Sequence, residues 1–323
     1  MRFWAETACA LTAEESEALL SRVVAVVPTF HPDDGVIERL KALSAQVDGV
    51  IVVDDGSSAD ADGVLASVEA AGYRLVRSKS NRGIAAALNT GARLALDDGA
   101  DFVLTIDQDS TLPGGYVRAC LDVFEAAASA TRLGVVTVDC INGHPSIPPR
   151  HSPEGFGLVG EAIQSGFVIT AECLQNCGLF DERLFIDCVD TEFCLRIGEK
   201  GYRIAIAPGT NLEHELGQQA PYRPLGIQRY HDGVPTTYEY HGPYRRYFIV
   251  RNNVDLWLRY ARKQPRWVAS SIRREINPSV RTVLSGPRAL RQLLATLIGA
   301  VHGLRRVRGP MSTRWRKALT GSA

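Results

Sequence analysis

Residues 102–110 read FVLTIDQDS: a run of five apolar or β-branched residues closed by two acids, Asp107 and Asp109, spaced i, i+2. A short uncharged run of this composition predicts a buried strand. Side chains two apart on a strand share a face, so both carboxylates would project to one side of its tip. A plain turn would use the same residues, and the surrounding sequence has to decide. VVAVV (23–27), VIVVD (50–54), RLVRS (74–78) and GVVTV (134–138) repeat the pattern of FVLTI (102–106). Between them, Val36 to Gln46 sets Ile37, Leu40 and Leu43 on one helical stripe, and Gly83 to Asp98 is rich in alanine. This alternation predicts an α/β fold with a mostly parallel central sheet flanked by helices.

Ligands of such sheets collect beyond the carboxyl ends of the strands. Three polar clusters fall there: Pro28-Thr29-Phe30, Asp54-Asp55-Gly56-Ser57 and Asp107-Gln108-Asp109. Each alone reads equally well as turn chemistry; three together predict one site. The D-x-D spacing by itself is weak, since a chain of this length holds about two by chance, and Asp60-Ala61-Asp62 is a second example. That pair lies in a polar stretch leading into a helix, whereas Asp107 and Asp109 terminate a buried strand. The first strand runs into PTFHPDDG rather than G-x-G-x-x-G, and no P-loop occurs, which disfavours a nicotinamide enzyme.

Further along, QSGFVITAECLQNCGLFDERLFIDCVDTEFCLRIGEKGYRIAIAP (164–208) predicts a short strand, a helix from Thr170, a GLFDE connector, a helix from about Asp190 to Lys200 closed by Gly201, and a strand from Arg203 to Ala207. Asp190 reads as an N-cap assisted by Glu192, or as a general base that removes a proton from an attacking hydroxyl; the two roles are compatible. His214, in NLEHELG, is a structural histidine or a third metal ligand beside Asp109. Residues 215–243 have no clear period and read as a functional loop of the lid type.

With 323 residues, 45% of them hydrophobic, the chain can form one large domain with an appendage. The expected organisation is a lead-in helix over 1–22 with a capping box at Thr12 and Glu15, a catalytic domain over 23–255, and a basic helical extension over 256–323. The 23–255 domain divides into two halves, 23–110 and 111–255. No secretory signal pattern opens the sequence, which predicts a cytoplasmic protein. The seven cysteines lack C-x-x-C spacing and read as reduced and mostly buried. The net charge of zero hides an asymmetry: from Arg259 onward there are fifteen Arg or Lys and one acid, Glu275. The apolar stretch LLATLIGAVHGL (293–304) is too short to span a bilayer. Flanked by Arg288, Arg291, Arg305, Arg306 and Arg308, it reads as a basic amphipathic helix on an anionic membrane surface, or as a helix packed on the catalytic domain. Aromatic residues are too sparse in the tail to suggest nucleic acid.

In order, VVAVVPTFHP (23–32), VIVVDDGS (50–57), NRGIAAALNTG (81–91), TIDQDS (105–110), SGFVIT (165–170), GLFDERLFIDCVDTEFCLR (178–196), the H-x-x-G of His214 to Gly217, and RRYFIVRN (245–252) resemble family 2 glycosyltransferases of the GT-A fold, most of all their rhamnosyltransferase branch. The resemblance implies that 23–110 is a nucleotide-binding half and 111–255 an acceptor and catalytic half. It implies that Thr29 and Asp55 hold the nucleotide base and ribose and that Asn81 and Gly83 line the donor pocket. Asp107 and Asp109 match the D-x-D, in which the second acid binds Mg²⁺ or Mn²⁺ on the diphosphate. His214 matches a metal-associated histidine, and Asp190 matches the catalytic base. Val189 stands where the family commonly has Glu, and DQDS replaces the simpler acidic motifs; both variations occur in the rhamnosyl branch.

These matches imply a metal-dependent inverting transferase that uses dTDP-L-rhamnose as donor and a glycan or lipid-diphosphate-linked acceptor in surface polysaccharide synthesis. Another sugar nucleotide, such as a UDP-hexose or UDP-galactofuranose, and a catalytically silent sugar-nucleotide-binding scaffold are the alternatives. A nucleotidyltransferase would need a glycine-rich loop after the first strand, which is missing.

Overall fold

The structure, a computed structural model, describes residues 21–127, 131–214, 219–285 and 287–321. The lead-in helix expected over 1–22, with Thr12 and Glu15, lies outside the described residues, apart from the non-helical Ser21 and Arg22. Strands β1 (Val23–Thr29), β2 (Gly49–Asp54), β3 (Arg74–Arg77) and β4 (Phe102–Thr105) pair in parallel in the order β3-β2-β1-β4. Their crossovers are helices α1 (Val36–Ser44), α2 (Asp62–Ala70) and α3 (Ile84–Asp97). Every residue of β1 is buried, as expected of a parallel strand covered on both faces. Val24 and Val26 join one apolar core and Ala25 and Val27 the other, each on its own side of the sheet.

The second half departs from the parallel expectation. After β5 (Ser110–Thr111) and α4 (Tyr116–Ala126), β6 (Leu133–Ile141) is followed by short edge strands β7 (His144–Pro145), β8 (Arg150–His151) and β9 (Gly157–Val159). No helix intervenes before β10 (Phe167–Thr170), which enters antiparallel between β4 and β6. A parallel return needs a helical crossover, and without one the chain comes back reversed. Helix α5 (Ala171–Cys177) is capped by Thr170, whose Oγ1 accepts the Cys173 N–H at 3.1 Å. Helix α6 (Val189–Glu199) and strand β11 (Arg203–His214) follow, with β11 parallel to β6. The described part of the aperiodic 215–243 stretch is not a bare loop. It folds into two small sheets, β12 (Gln219–Pro221) with β15 (Thr237–Glu239) and β13 (Tyr230–His231) with β14 (Val234–Pro235).

The chain ends in α7 (Pro243–Tyr260), α8 (Pro265–Ser285), α9 (Ala289–Leu304) and α10 (Thr313–Thr320). The boundary expected at 255/256 therefore falls inside α7. The extension packs on α7: a Cβ at Gly303 would lie 2.6 Å from the Arg251 carbonyl oxygen, and one at Gly299 would lie 2.8 Å from that of Tyr247. Among the described residues no helix is long and apolar enough to cross a membrane. The six described cysteines are free thiols, and Cys140 and Cys188 are the two not fully buried. Gly303→Ala should force the two helices apart and cost about 1–3 kcal/mol, read as a lower urea midpoint; an unchanged midpoint would show that the helices do not pack this closely.

Candidate active site

At the tip of β4 the chain turns through Asp107 to Asp109 and re-enters the sheet as β5. That two-residue strand pairs with the end of β11 in the register Ser110↔His214. The pairing sets His214 Nδ1 3.5 Å from Asp109 Oδ1 and 2.9 Å from Ser110 Oγ. Ligand atoms of Asp107, Asp109 and His214 all lie within 4.8 Å of one another. The backbone N–H of Asp107 donates to Ser165 Oγ at 3.1 Å, and Gln164 Nε2 donates to its carboxylate. Loss of hydration raises the Asp107 carboxyl to about 6, with the neighbouring Asp109 charge adding to the effect and His214 opposing it. Asp109 Oδ1 is buried without a hydrogen bond. An unpartnered carboxylate oxygen, a second acid and an imidazole fit a hard or borderline divalent cation such as Mg²⁺ or Mn²⁺.

The other D-x-D is put to different use. Asp62 pairs with Arg77 at 2.7 Å and Asp60 accepts from Ser58 Oγ at 2.6 Å, both on the surface.

Thr29, at the end of β1, is buried with its hydroxyl unpartnered. Asp55 is also buried, and its two oxygens accept the backbone N–H groups of Arg82 (2.8 Å) and Gly83 (2.7 Å). Burial raises the Asp55 carboxyl, and these two bonds pull it back. Asn81 Oδ1 takes a share of the same Gly83 N–H at 3.1 Å. Asp55 therefore fixes the 81–83 loop at the start of α3. Gly83 has φ +95°, and a Cβ there would collide with the Phe185 carbonyl, so this corner of the pocket touches the loop that carries the proposed base.

Asp190 is the second residue of α6, not its cap. The cap position is Cys188, in the left-handed conformation at φ 59°. Asp190 Oδ1 accepts its neighbour Thr191's N–H at 2.7 Å. Loss of hydration raises its carboxyl to about 6; the Thr191 bond opposes this, while Asp187 and Glu161 add to it. The charge of Asp190 also adds a little to the rise of the Asp107 carboxyl.

Further residues within or beside the matched stretches support the site. Phe185, Asp187 and Cys188 all have positive φ, which is costly for residues with a Cβ. The loop is held from α7. Asn252 Nδ2 lies 3.0, 2.8 and 2.9 Å from the carbonyl oxygens of Leu184, Ile186 and Asp187. The buried Arg251 donates to the Leu184 carbonyl at 2.7 Å. Arg245 Nε binds Asp187 Oδ1 at 3.1 Å, leaving Asp187 Oδ2 buried and unpartnered. Asp187, Arg245 and Asn252 sit inside the GLFDERLFIDCVDTEFCLR and RRYFIVRN matches, while Gln164 lies just outside SGFVIT. Their signal was a polar residue within an otherwise apolar helix or connector, whose partners only the folded chain brings together.

Residues 24–182 match the Glycosyl transferase family 2 model. The chain is 30% identical over 248 residues to a dTDP-rhamnosyl transferase, RfbF, of Shigella flexneri, covering 72% of this chain and 78% of that one. The chain belongs to glycosyltransferase family 2. Its fold is GT-A, as in the Pyrobaculum calidifontis mannosyltransferase PcManGT solved with GDP-Man and Mn²⁺ (TM-score 0.51, 17% identity, 93% of this chain and 83% of that one). GalNAc-T7, solved with UDP, GalNAc and Mn²⁺, is similar at TM-score 0.55 and 12% identity, over 90% of this chain and 57% of its own.

In this family 2 enzyme, Asn252→Ala should lower turnover more than tenfold, leave the donor dissociation constant within about threefold, and cost about 1–3 kcal/mol of stability from the carbonyls left unpaired. Stopped turnover kinetics, donor titration and urea unfolding measure the three; unchanged turnover would separate the clasp from base placement.

Proposed function

We propose that this glycosyltransferase transfers L-rhamnose from dTDP-β-L-rhamnose to a hydroxyl of a glycan or lipid-diphosphate-linked acceptor, with inversion, in surface polysaccharide synthesis. The observation that supports the metal-dependent part of this reading is the cluster of Asp107, Asp109 and His214, whose ligand atoms lie within 4.8 Å of one another; Asp190, at the start of α6 with its carboxyl raised by loss of hydration, suits the part of base. The donor is supported by the 30% identity to a dTDP-rhamnosyl transferase.

A divalent cation, Mg²⁺ or Mn²⁺, held by Asp109 and His214 with Asp107 alongside, would offset the charge that develops on the departing diphosphate. The residues of the chain do the rest. Thr29, Asp55, Asn81 and Gly83 shape the nucleotide end of the pocket, directly or by holding its loop. Asp190 accepts the proton of the acceptor hydroxyl as its oxygen bonds to the anomeric carbon. The bond from that carbon to the diphosphate oxygen breaks on the opposite face, and the electron pair leaves with the nucleoside diphosphate. A base with a pKa near 6 is ionised at neutral pH yet retains useful basicity.

Three measurements test this reading. Across a panel of sugar nucleotides, hydrolysis and binding should prefer dTDP-rhamnose and be lost on chelation; preference for a UDP- or GDP-sugar would discard the rhamnosyl assignment and keep the rest. Asp190→Asn should reduce transfer about 10²–10⁴-fold with donor binding preserved, and full transfer by this variant would remove Asp190 as base. Because the ionised carboxylate is the active form, kcat should fall about tenfold per pH unit below about 6 and level off above it.

A further inference from the structure

The last helices leave many large aliphatic side chains exposed. Helix α8 meets the protein through Trp267 and Val268 at its start, packed on Leu256 and Tyr260, and through polar residues further along. Ser271 and Thr282 are buried, Ser271 Oγ accepts Trp257 Nε1–H at 2.9 Å, and Glu275 pairs with Arg246 at 2.7 Å. Its apolar residues Ile272, Ile276, Val280 and Leu284, four apart along one stripe, are exposed. Helix α9 uses Gly299, Gly303, Ala295 and Ile298 against α7, while Leu290, Leu293, Leu294, Leu297, Val301 and Leu304 face solvent, Leu290 at 84% and Leu297 at 57% exposure. An open groove of about 230 Å³, lined by Leu297, Val301, His302 and Trp315 with Arg305 at its rim, carries the apolar surface on to α10. Ten large aliphatic side chains in water on two consecutive helices are more than a soluble monomer tolerates without a partner.

The charges indicate which partner. After Glu275 the chain has nine Arg or Lys and no acid, and Glu275 itself is used inward by Arg246. Arg288, Arg305, Arg306 and Arg308 are exposed, and none of them has a carboxylate partner among the described residues. We propose that the exposed faces of α8 and α9 are a docking surface for an anionic lipid bilayer, lying in the headgroup region with the aliphatic stripes inward and the arginines on lipid phosphates. A second copy fits poorly, because a two-fold contact brings the same patch onto itself and would set arginine rim against arginine rim. The stripes also lack the exposed aromatic anchors that mark protein interfaces. The inference needs no assumption about the donor. It would place the cleft beside a surface where lipid-linked acceptors reside.

The test is co-sedimentation of the full chain with phosphatidylcholine vesicles, with and without about a third phosphatidylglycerol, in the absence of donor. The expected result is binding to the anionic vesicles that weakens with salt. Arginine removal should cost about fivefold per residue near an anionic surface. R305Q/R306Q/R308Q together should therefore weaken binding on the order of a hundredfold. L293N/L297N/V301N should lose binding as well, and both variants should keep wild-type donor hydrolysis. Equal absence of binding to both vesicle types, or variants that sediment like the wild type, would overturn the proposal. So would a dimer in gel filtration that the apolar variant dissolves while vesicle binding is missing, which would make the face a self-association surface. Any of these failures leaves the donor and base assignments intact, since donor hydrolysis is measured separately.

Discussion

The loop that leads into α6 and Asp190 rests on one clasp, the Asn252 amide and Arg251 guanidinium of α7 against the carbonyls of Leu184, Ile186 and Asp187. Three residues of this loop have backbone angles that a Cβ disfavours, and the short local bond from Ile186 N–H to the Leu184 carbonyl at 2.9 Å is supplemented from outside. The clasp supplies partners for the carbonyls, so α6 can start at Val189 and hold Asp190 in the cleft. The same buried arginine reaches the Gly309 carbonyl at 2.5 Å, beyond α9. A single side chain thus ties the loop, the helix α7 and the C-terminal extension together.

The cleft itself is an electrostatic compromise. Loss of hydration raises the carboxyls of Asp107, Asp187 and Asp190, and neighbouring acids add to the rise at Asp107 and Asp190. Unpartnered oxygens remain on Asp109 and Asp187. A site built this way is costly when empty and gains stability from whatever brings positive charge or hydroxyl donors to it. Arg245, bound to Asp187, already answers part of that need.

The sequence was most informative where a local pattern and a buried element coincide. FVLTI and its sister runs are buried strands because their uncharged β-branched residues can satisfy both faces of a covered sheet, and the acids at 107 and 109 were singled out over those at 60 and 62 by that context. The reversed β10 was not legible, since strand direction depends on the lack of a crossover helix between distant segments. The sequence offers Asp190 as an N-cap or as a general base, since an acid at a helix start suits both; the cap position falls to Cys188, in a left-handed conformation that no propensity predicts. The stretch 215–243 shows no period because the strands its described part forms are only two or three residues long. The extension was legible as basic and amphipathic, but not which face of each helix would be turned inward.

By itself, then, the sequence determined the α/β alternation, the identity of the acids and the charge of the tail, because these follow from side-chain chemistry and short-range periodicity. The tertiary structure decided which of those groups meet. The Ser110↔His214 pairing joins residues 104 positions apart, the Gly83–Phe185 contact joins the 81–83 loop to the 184–188 loop, and the packing of α8 leaves its Ile272, Ile276, Val280 and Leu284 stripe outside. Such meetings depend on long-range packing, in which the free energy of an entire fold sets each angle, and no window of sequence contains that information.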